Sequence, residues 1–297
     1  RTYPFIGSTC HPEWTRPNFT QYNTSIHDNY VNGTNFEGFY IGTSHYGSEP
    51  TCGGTVMPQA SLIGVKVYNN ILKDTGNDGI QIGGAISGVE VYNNRVEGYA
   101  RHNNEQHAGG LQLNGGTGGV YYNNYIEAHP DADTAQSVMY IGSTDAVYIY
   151  NNVFVGGNKA LMTLNRMDNA THLYYTNNTY YGSGVGDTFY FFCNGNPSVQ
   201  PYTIEDNIFT EYGTIGSLDG GSWNYFNGRD GTKCPINGSV MTGNGGSEED
   251  IHMSGNYFSK SAASILFADP ANKDYTVPPT SPAFGMGADL SVTIPQP

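Results

Sequence analysis

A short phrase keeps returning along this chain of 297 residues. It reads VKVYNN at Val65–Asn70, VEVYNN at Val89–Asn94, VYYNN at Val120–Asn124, VYIYNN at Val147–Asn152 and, more loosely, LYYTNN at Leu173–Asn178. Degenerate copies are IHDN at Ile26–Asn29, TIEDN at Thr203–Asn207 and HMSGN at His252–Asn256. Between the last Asn of successive copies the steps are 41, 24, 30, 28, 26, 29 and 49 residues. Most lie at about 27, and the two long steps read as one unit plus an insertion. A unit this short buries no core by itself, so the units must stack on one another as a solenoid.

Within each unit, Val, Ile and Tyr alternate with polar residues up to the Asn, which is strand period and strand composition. A second short apolar piece follows (Ile71-Leu72, Tyr125-Ile126, Val153-Phe154), then turns rich in Gly, Asp and Asn. A third apolar run closes the unit: GFYIG at Gly38–Gly42, GIQIG at Gly79–Gly83, GLQLN at Gly110–Asn114, VMYIG at Val138–Gly142 and LMTLN at Leu161–Asn165. Three strands and three turns per unit describe one coil of an all-β parallel β-helix. The last Asn of each phrase belongs at a tight corner, where its amide bonds to the same Asn above and below and its backbone tolerates the left-handed region. The arrangement resembles the right-handed, pectin-lyase-like β-helix family of secreted bacterial type, over roughly Ser25 to Phe258 and about eight coils.

Composition bounds the partners. Acidic residues exceed basic ones by 14, a field that disfavours nucleic acid, anionic membrane and strongly acidic glycans. No apolar run is long enough to span a bilayer, so no membrane insertion is expected. The chain starts at Arg1 without a signal peptide and reads as a processed or excised piece. The four Cys fall outside metal-type spacing; an even number suggests two disulfides in an oxidising, extracellular or cell-surface setting, with Cys10–Cys52 and Cys193–Cys234 the preferred of three pairings.

Residues 1–24 carry aromatics and prolines without helical period and read as an irregular lid or connection. The β-helix follows over 25–258, with inserted loops at 43–61 and 218–246. The Pro-rich stretch 259–297 resembles the segment that seals the last coil in such proteins, and Pro278, Pro279 and Pro282 suit an edge that must not pair further.

In this family substrates lie on the outer face of the third run. Alternation, with Met139 and Ile141 pointing inward, puts Tyr40, Gln81, Gln112, Tyr140 and Thr163 outward, with Asn114 at the edge and Phe192 as a continuation. Such a row of rings and amides suits a sugar platform, although strand propensity alone also favours these residue types. The resemblance implies a basic residue in lyases and clustered Asp in hydrolases. Lys73 and Arg95 lie away from the face, and the hydrolase pattern is incomplete around Asn77-Asp78-Gly79. Alignment of the third runs does set Glu37 over Asp78, one strand spacing apart, with His107 in the polar turn HNNEQHA next to them. Two carboxylates so placed could share a proton, bind a cation or act as a retaining pair, with His107 as acid or base. Both carboxylates, however, fall on the inward parity at a corner, where they would accept turn N–H groups. The expected function is binding of a polysaccharide, with cleavage by lyase or glycoside hydrolase chemistry as one branch. The alternative is a non-catalytic structural protein, adhesin or filament subunit that self-associates through its coil ends. No cofactor or metal ligand set is expected, with calcium the one ion the resemblance leaves open.

Overall fold

The computed structural model describes residues 5–6, 9–16, 18–104, 106–140, 145–165, 172–192, 202–213, 225–227, 233–235 and 251–291. Three parallel sheets run its length, each taking one strand per coil in chain order. The first holds Ser25–His27, Lys66–Tyr68, Glu90–Tyr92, Gly119–Tyr122, Val147–Tyr150, Leu173–Thr176, Tyr202–Glu205 and Ile251–Ser254. The second runs from Tyr30–Asn32 through Ile71–Lys73, Arg95–Tyr99 and four further strands to Tyr257–Ser259. The third contains Phe39–Gly42, Ile80–Gly83, Gly109–Leu113, Gln136–Tyr140, Ala160–Asn165 and Asp187–Phe192. The chain is an all-β parallel β-helix, eight coils long in its first two sheets.

One residue in two points inward, and the register stacks like on like. Val67, Val91, Tyr121, Ile149, Tyr175 and Ile204 form one column, and Leu72, Val96, Ile126, Phe154, Tyr180 and Phe209 a second. Each of these side chains is at most 1 % exposed, so each contributes about 1.5–3 kcal/mol relative to an exposed position.

The Asn corners form a continuous ladder. Nδ2 of Asn29, Asn70, Asn94, Asn124, Asn152, Asn178 and Asn207 donates to Oδ1 of the next Asn, ending at Asn256, over 2.8–3.2 Å. The left-handed backbone belongs instead to the residue before each ladder Asn: Asp28, Asn69, Asn93, Asn123, Asn151, Asn177, Asp206 and Gly255 have φ between 53° and 62°. The Asn-Asn pair thus divides the work, the first residue turning the chain and the second satisfying the buried corner.

Cys10 and Cys52 are disulfide-bonded, tying the N-terminal segment to the loop over 43–61. Cys193 and the side chain of Cys234 lie outside the described residues, as does most of the stretch 218–246. Beyond the last coil the chain turns back along the outer face of the second sheet. There Ile265, Phe267, Tyr275, Ala283 and Ala288 pack on Tyr125, Val153 and Ile208. Lys273 anchors this strap two-thirds of the way back, with Nζ 2.7 Å from Glu97 and 2.5 Å from Glu127. Lys73 and Arg95 also pair with Glu97, which accounts for both as ion-pair partners. Burial alone would raise the Glu97 carboxyl, but the bonds from Lys273, Arg95 and Lys73 hold it at about 2. A depressed carboxylate stabilises above its unfolded value and loses that contribution as pH falls toward 2. Lys273→Ala is therefore expected to lower the protection of the amides over 265–277, measured against their intrinsic exchange rates, at neutral pH, while acidification to about pH 2 should lower the same protection factors in the wild type. Unchanged exchange in the variant would remove the anchor role.

Candidate active site

The third sheet brings Glu37, Asp78 and His107 together from three successive coils. Ile80 pairs with Phe39 and with Leu111, so Glu37, Asp78 and Gly109 share one column across the mouth of the sheet. The position that would carry a third side chain is a glycine, and a Cβ there would lie 3.2 Å from Gln112 Cβ and Met139 Cγ. Gly109 N–H instead donates to Asp78 Oδ1 at 2.7 Å. His107 sits two residues earlier, with Nδ1 3.4 Å from Glu37 Oε1 and 3.6 Å from Asp78 Oδ2.

Strand parity places Asp78 inward, yet its carboxylate reaches the outer face. The regular strand begins only at Ile80, and Asn77–Gly79 is a bend in which counting by twos no longer applies. Asp78 is completely buried, while His107 is 34 % exposed with its Nδ1 enclosed. The exposed part of the ring therefore lies away from Nδ1. Burial pushes the Asp78 carboxyl up to about 6, opposed by His107 and by the Gly109 N–H. Contact with Asp78 in turn raises His107, against its own partial burial.

Beside this cluster lies a buried row of amides. Gln112 Nε2 donates to both oxygens of Asp78, at 2.8 and 2.9 Å, while its carbonyl takes Gln81 Nε2 at 3.2 Å. Asn114 meets the same amide at 3.2 Å. If Asp78 is protonated, its O–H needs an acceptor, which the Gln112 amide supplies when turned over. The amides are thus linked to the proton on Asp78.

The proposed sugar platform needs two corrections. Tyr140 does not face out: Leu113 pairs with Tyr140 and Gln112 with Met139, so Tyr140 is fully buried in the core and Met139 takes the outer place at 9 % exposure. Aligning VMYIG on GIQIG by their glycines is one residue out of register, and a slip of one exchanges the two faces. By the same register the row continues to Thr163 and Tyr190, with Phe192 opposite Asn165. Nor is the row an open shelf. Gln81, Gln112 and Asn114 are at most 3 % exposed, Tyr46 of the 43–61 loop packs on Gly116, and the Tyr40 hydroxyl is tied to Ser44 at 2.7 Å. Of the polar turn, His102 lies against Gly76, and Glu105 falls outside the described residues.

Among the described residues, Glu37, Asp78 and His107 are the group able to hold a metal ion, their ligand atoms lying within 4.8 Å of one another. The Asp78 oxygens also accept from Gly109 and Gln112. No family model, curated protein or solved structure matches this chain.

Proposed function

We propose that this is an extracellular glycan-cleaving enzyme of the pectin-lyase-like kind, acting by β-elimination, with His107 as the proton-transfer group. The observation that carries this reading is the one-sided cluster: an exposed imidazole edge backed by a buried aspartate and a partly buried glutamate. The outer row facing it (Tyr40, Gln81, Gln112, Met139, Asn114) supplies no second carboxylate for attack from the opposite side of a sugar. Syn-elimination requires only one side. Neutral His107 Nε2 takes the proton next to a uronyl carboxyl group, the C–O bond to the leaving sugar breaks, and the same nitrogen returns that proton to the departing oxygen. Asp78 positions the ring and stabilises the imidazolium that forms between the two transfers. The family resemblance supports elimination, although its usual base is Lys or Arg. The 14 excess negative charges favour uronic glycans whose carboxyls are esterified and so uncharged.

Elimination leaves a conjugated double bond, so the test is ultraviolet absorbance on esterified and free polyuronates. The wild type should generate the chromophore, with a rate rising as His107 loses its proton. His107→Ala should lower the rate by about 10²–10⁴. New reducing ends without absorbance would replace elimination by hydrolysis; neither signal on any polysaccharide would end the catalytic reading.

A second reading rests on the first coil. Tyr22, Tyr30 and Phe36 there are 63–70 % exposed, and Ile26, Val31 and Phe39 are only partly buried, while Val67, Leu72 and Ile80 below them are at most 1 % exposed. A structural subunit would bury this end against another molecule, and concentration-dependent association in light scattering, abolished by Tyr30→Lys, would support it.

A further inference from the structure

Three side chains at the mouth of the third sheet are spaced as ligands of one ion rather than as a hydrogen-bonded chain. His107 Nδ1 is buried and has no hydrogen-bond partner among the described residues. The two oxygens it faces lie beyond the usual hydrogen-bond distance, Glu37 Oε1 at 3.4 Å and Asp78 Oδ2 at 3.6 Å. Donors held at about 2.0–2.2 Å by one tetrahedral ion stand roughly 3.3–3.6 Å from one another. All three ligand atoms fall within 4.8 Å of one another, a spread that a single ion can draw together.

The surroundings suit a cation. Glu37 and Asp78 belong to one column of the third sheet, and Asp78 is completely buried, so their like charges oppose each other until a dication neutralises them. Gly109 N–H holds Asp78 Oδ1 at 2.7 Å, and the Gln112 amide spans both oxygens at 2.8 and 2.9 Å. A carboxylate offers about four lone-pair sites; these bonds leave one on Oδ2, the oxygen that faces His107. Hydrogen bonds that fix a carboxylate in this way are the usual support of a metal ligand. Glu37 and His107 are both partly exposed, which gives an ion its way in from solvent.

We propose that Glu37, Asp78 and His107 Nδ1 together bind one divalent cation of the zinc class, and that this ion holds the proton-transfer group idle. Ligand type selects the ion. An imidazole nitrogen with two carboxylates suits Zn²⁺, whereas Ca²⁺ asks for about six to eight oxygen donors. An imidazole bound through Nδ1 keeps its proton on Nε2 and has no lone pair with which to accept another. Zinc and proton abstraction therefore exclude each other at His107. The binding site stands on geometry alone; only the inhibition rests on the elimination reading.

The test is calorimetric titration of the full chain, freed of metal by dialysis against a chelator, with ZnCl₂, CaCl₂ and MgCl₂ alone. Zn²⁺ should bind as a single ion per chain, roughly a hundredfold or more tighter than Ca²⁺ or Mg²⁺. His107→Ala and Glu37→Gln should each weaken it about 100-fold, with circular dichroism confirming that both variants fold. His129→Ala, at a histidine beside Asp131, should leave the affinity unchanged. In nitrogen-15 spectra of the imidazoles, Zn²⁺ should fix His107 in the Nε2–H form. The ultraviolet cleavage rate should fall along the same saturation curve and return on chelation. No saturable zinc binding, binding that survives both His107→Ala and Glu37→Gln, or preference for Ca²⁺ would overturn the site. Zinc bound with His107 Nε2 unprotonated, or undiminished cleavage by the loaded protein, would overturn the inhibition. A wild type that binds zinc as described yet cleaves nothing would end the elimination reading and leave the metal site standing.

Discussion

Asn124→Ala is expected to destabilise the protein by about 3 kcal/mol, as a fully buried member of the ladder. The Asn124 side chain donates to Asn152 Oδ1 at 2.9 Å and to Val91 O at 3.0 Å. Its Oδ1 accepts from both the backbone N–H and the Nδ2 of Asn94, each at 3.0 Å. Alanine leaves the Asn94 N–H without its acceptor and strips a donor from Val91 and Asn152, all in a corner with no solvent access. Unpaired buried groups cost more than the bonds they once made. The contrast within the ladder is the sharper check. Asn29 is its exposed terminal member, so Asn29→Ala should cost well under 1 kcal/mol. Asn93→Ala, which removes the short polar side chain that eases the left-handed backbone at φ 53° without touching the ladder, should cost about 1 kcal/mol. Urea unfolding followed by circular dichroism measures all three, and equal losses at Asn124 and Asn29 would show that the ladder is not what holds the corners.

Asp78→Asn should do the opposite and stabilise the protein at neutral pH. The folded carboxyl titrates at about 6 against an ordinary 3.8, chiefly because burial disfavours its charge. Between those values the folded state holds more protons than the unfolded state, so stability falls as pH rises and stays lower above 6. His107 acts in the same direction: its raised value makes it stabilising while protonated, and that contribution fades as pH rises past it. Asparagine keeps the acceptor for Gly109 N–H and offers Gln112 an N–H in place of a carboxylate, with the amides turned as for protonated Asp78. The gain should approach about 3 kcal/mol above pH 7 and vanish at about pH 3, below both values. Thermal melts of both proteins across that range test it. A variant less stable than wild type at every pH would mean that Asp78 is held as a structural anion. A gain in stability coupled to loss of cleavage would mark a strained functional carboxylate.

Much of the fold was legible because a solenoid writes its geometry as a repeat. The steps between successive Asn residues equal the separations across the hydrogen-bonded ladder, from Asn29–Asn70 to Asn207–Asn256, and the alternation before each Asn names the core columns of the first sheet. Juxtaposition of Glu37 and Asp78 was readable for the same reason, since aligned third runs are adjacent strands. The Cys10–Cys52 bond was the preferred pairing, and the structure forms it.

What the repeat could not convey lies wherever the chain leaves the regular strand. Tyr140 and Met139 exchanged faces because the length of the turn before Gln136, not the glycine after Tyr140, sets the register. Asp78 reached the outer face through a bend that has no period. The depth of Gln81 and Gln112, and the path of the strap that carries Lys273 to Glu97, depend on contacts between segments far apart in sequence. Local periodicity records which residues stack, because stacking is what the repeat was built to satisfy; only the folded chain decides which of those columns is covered.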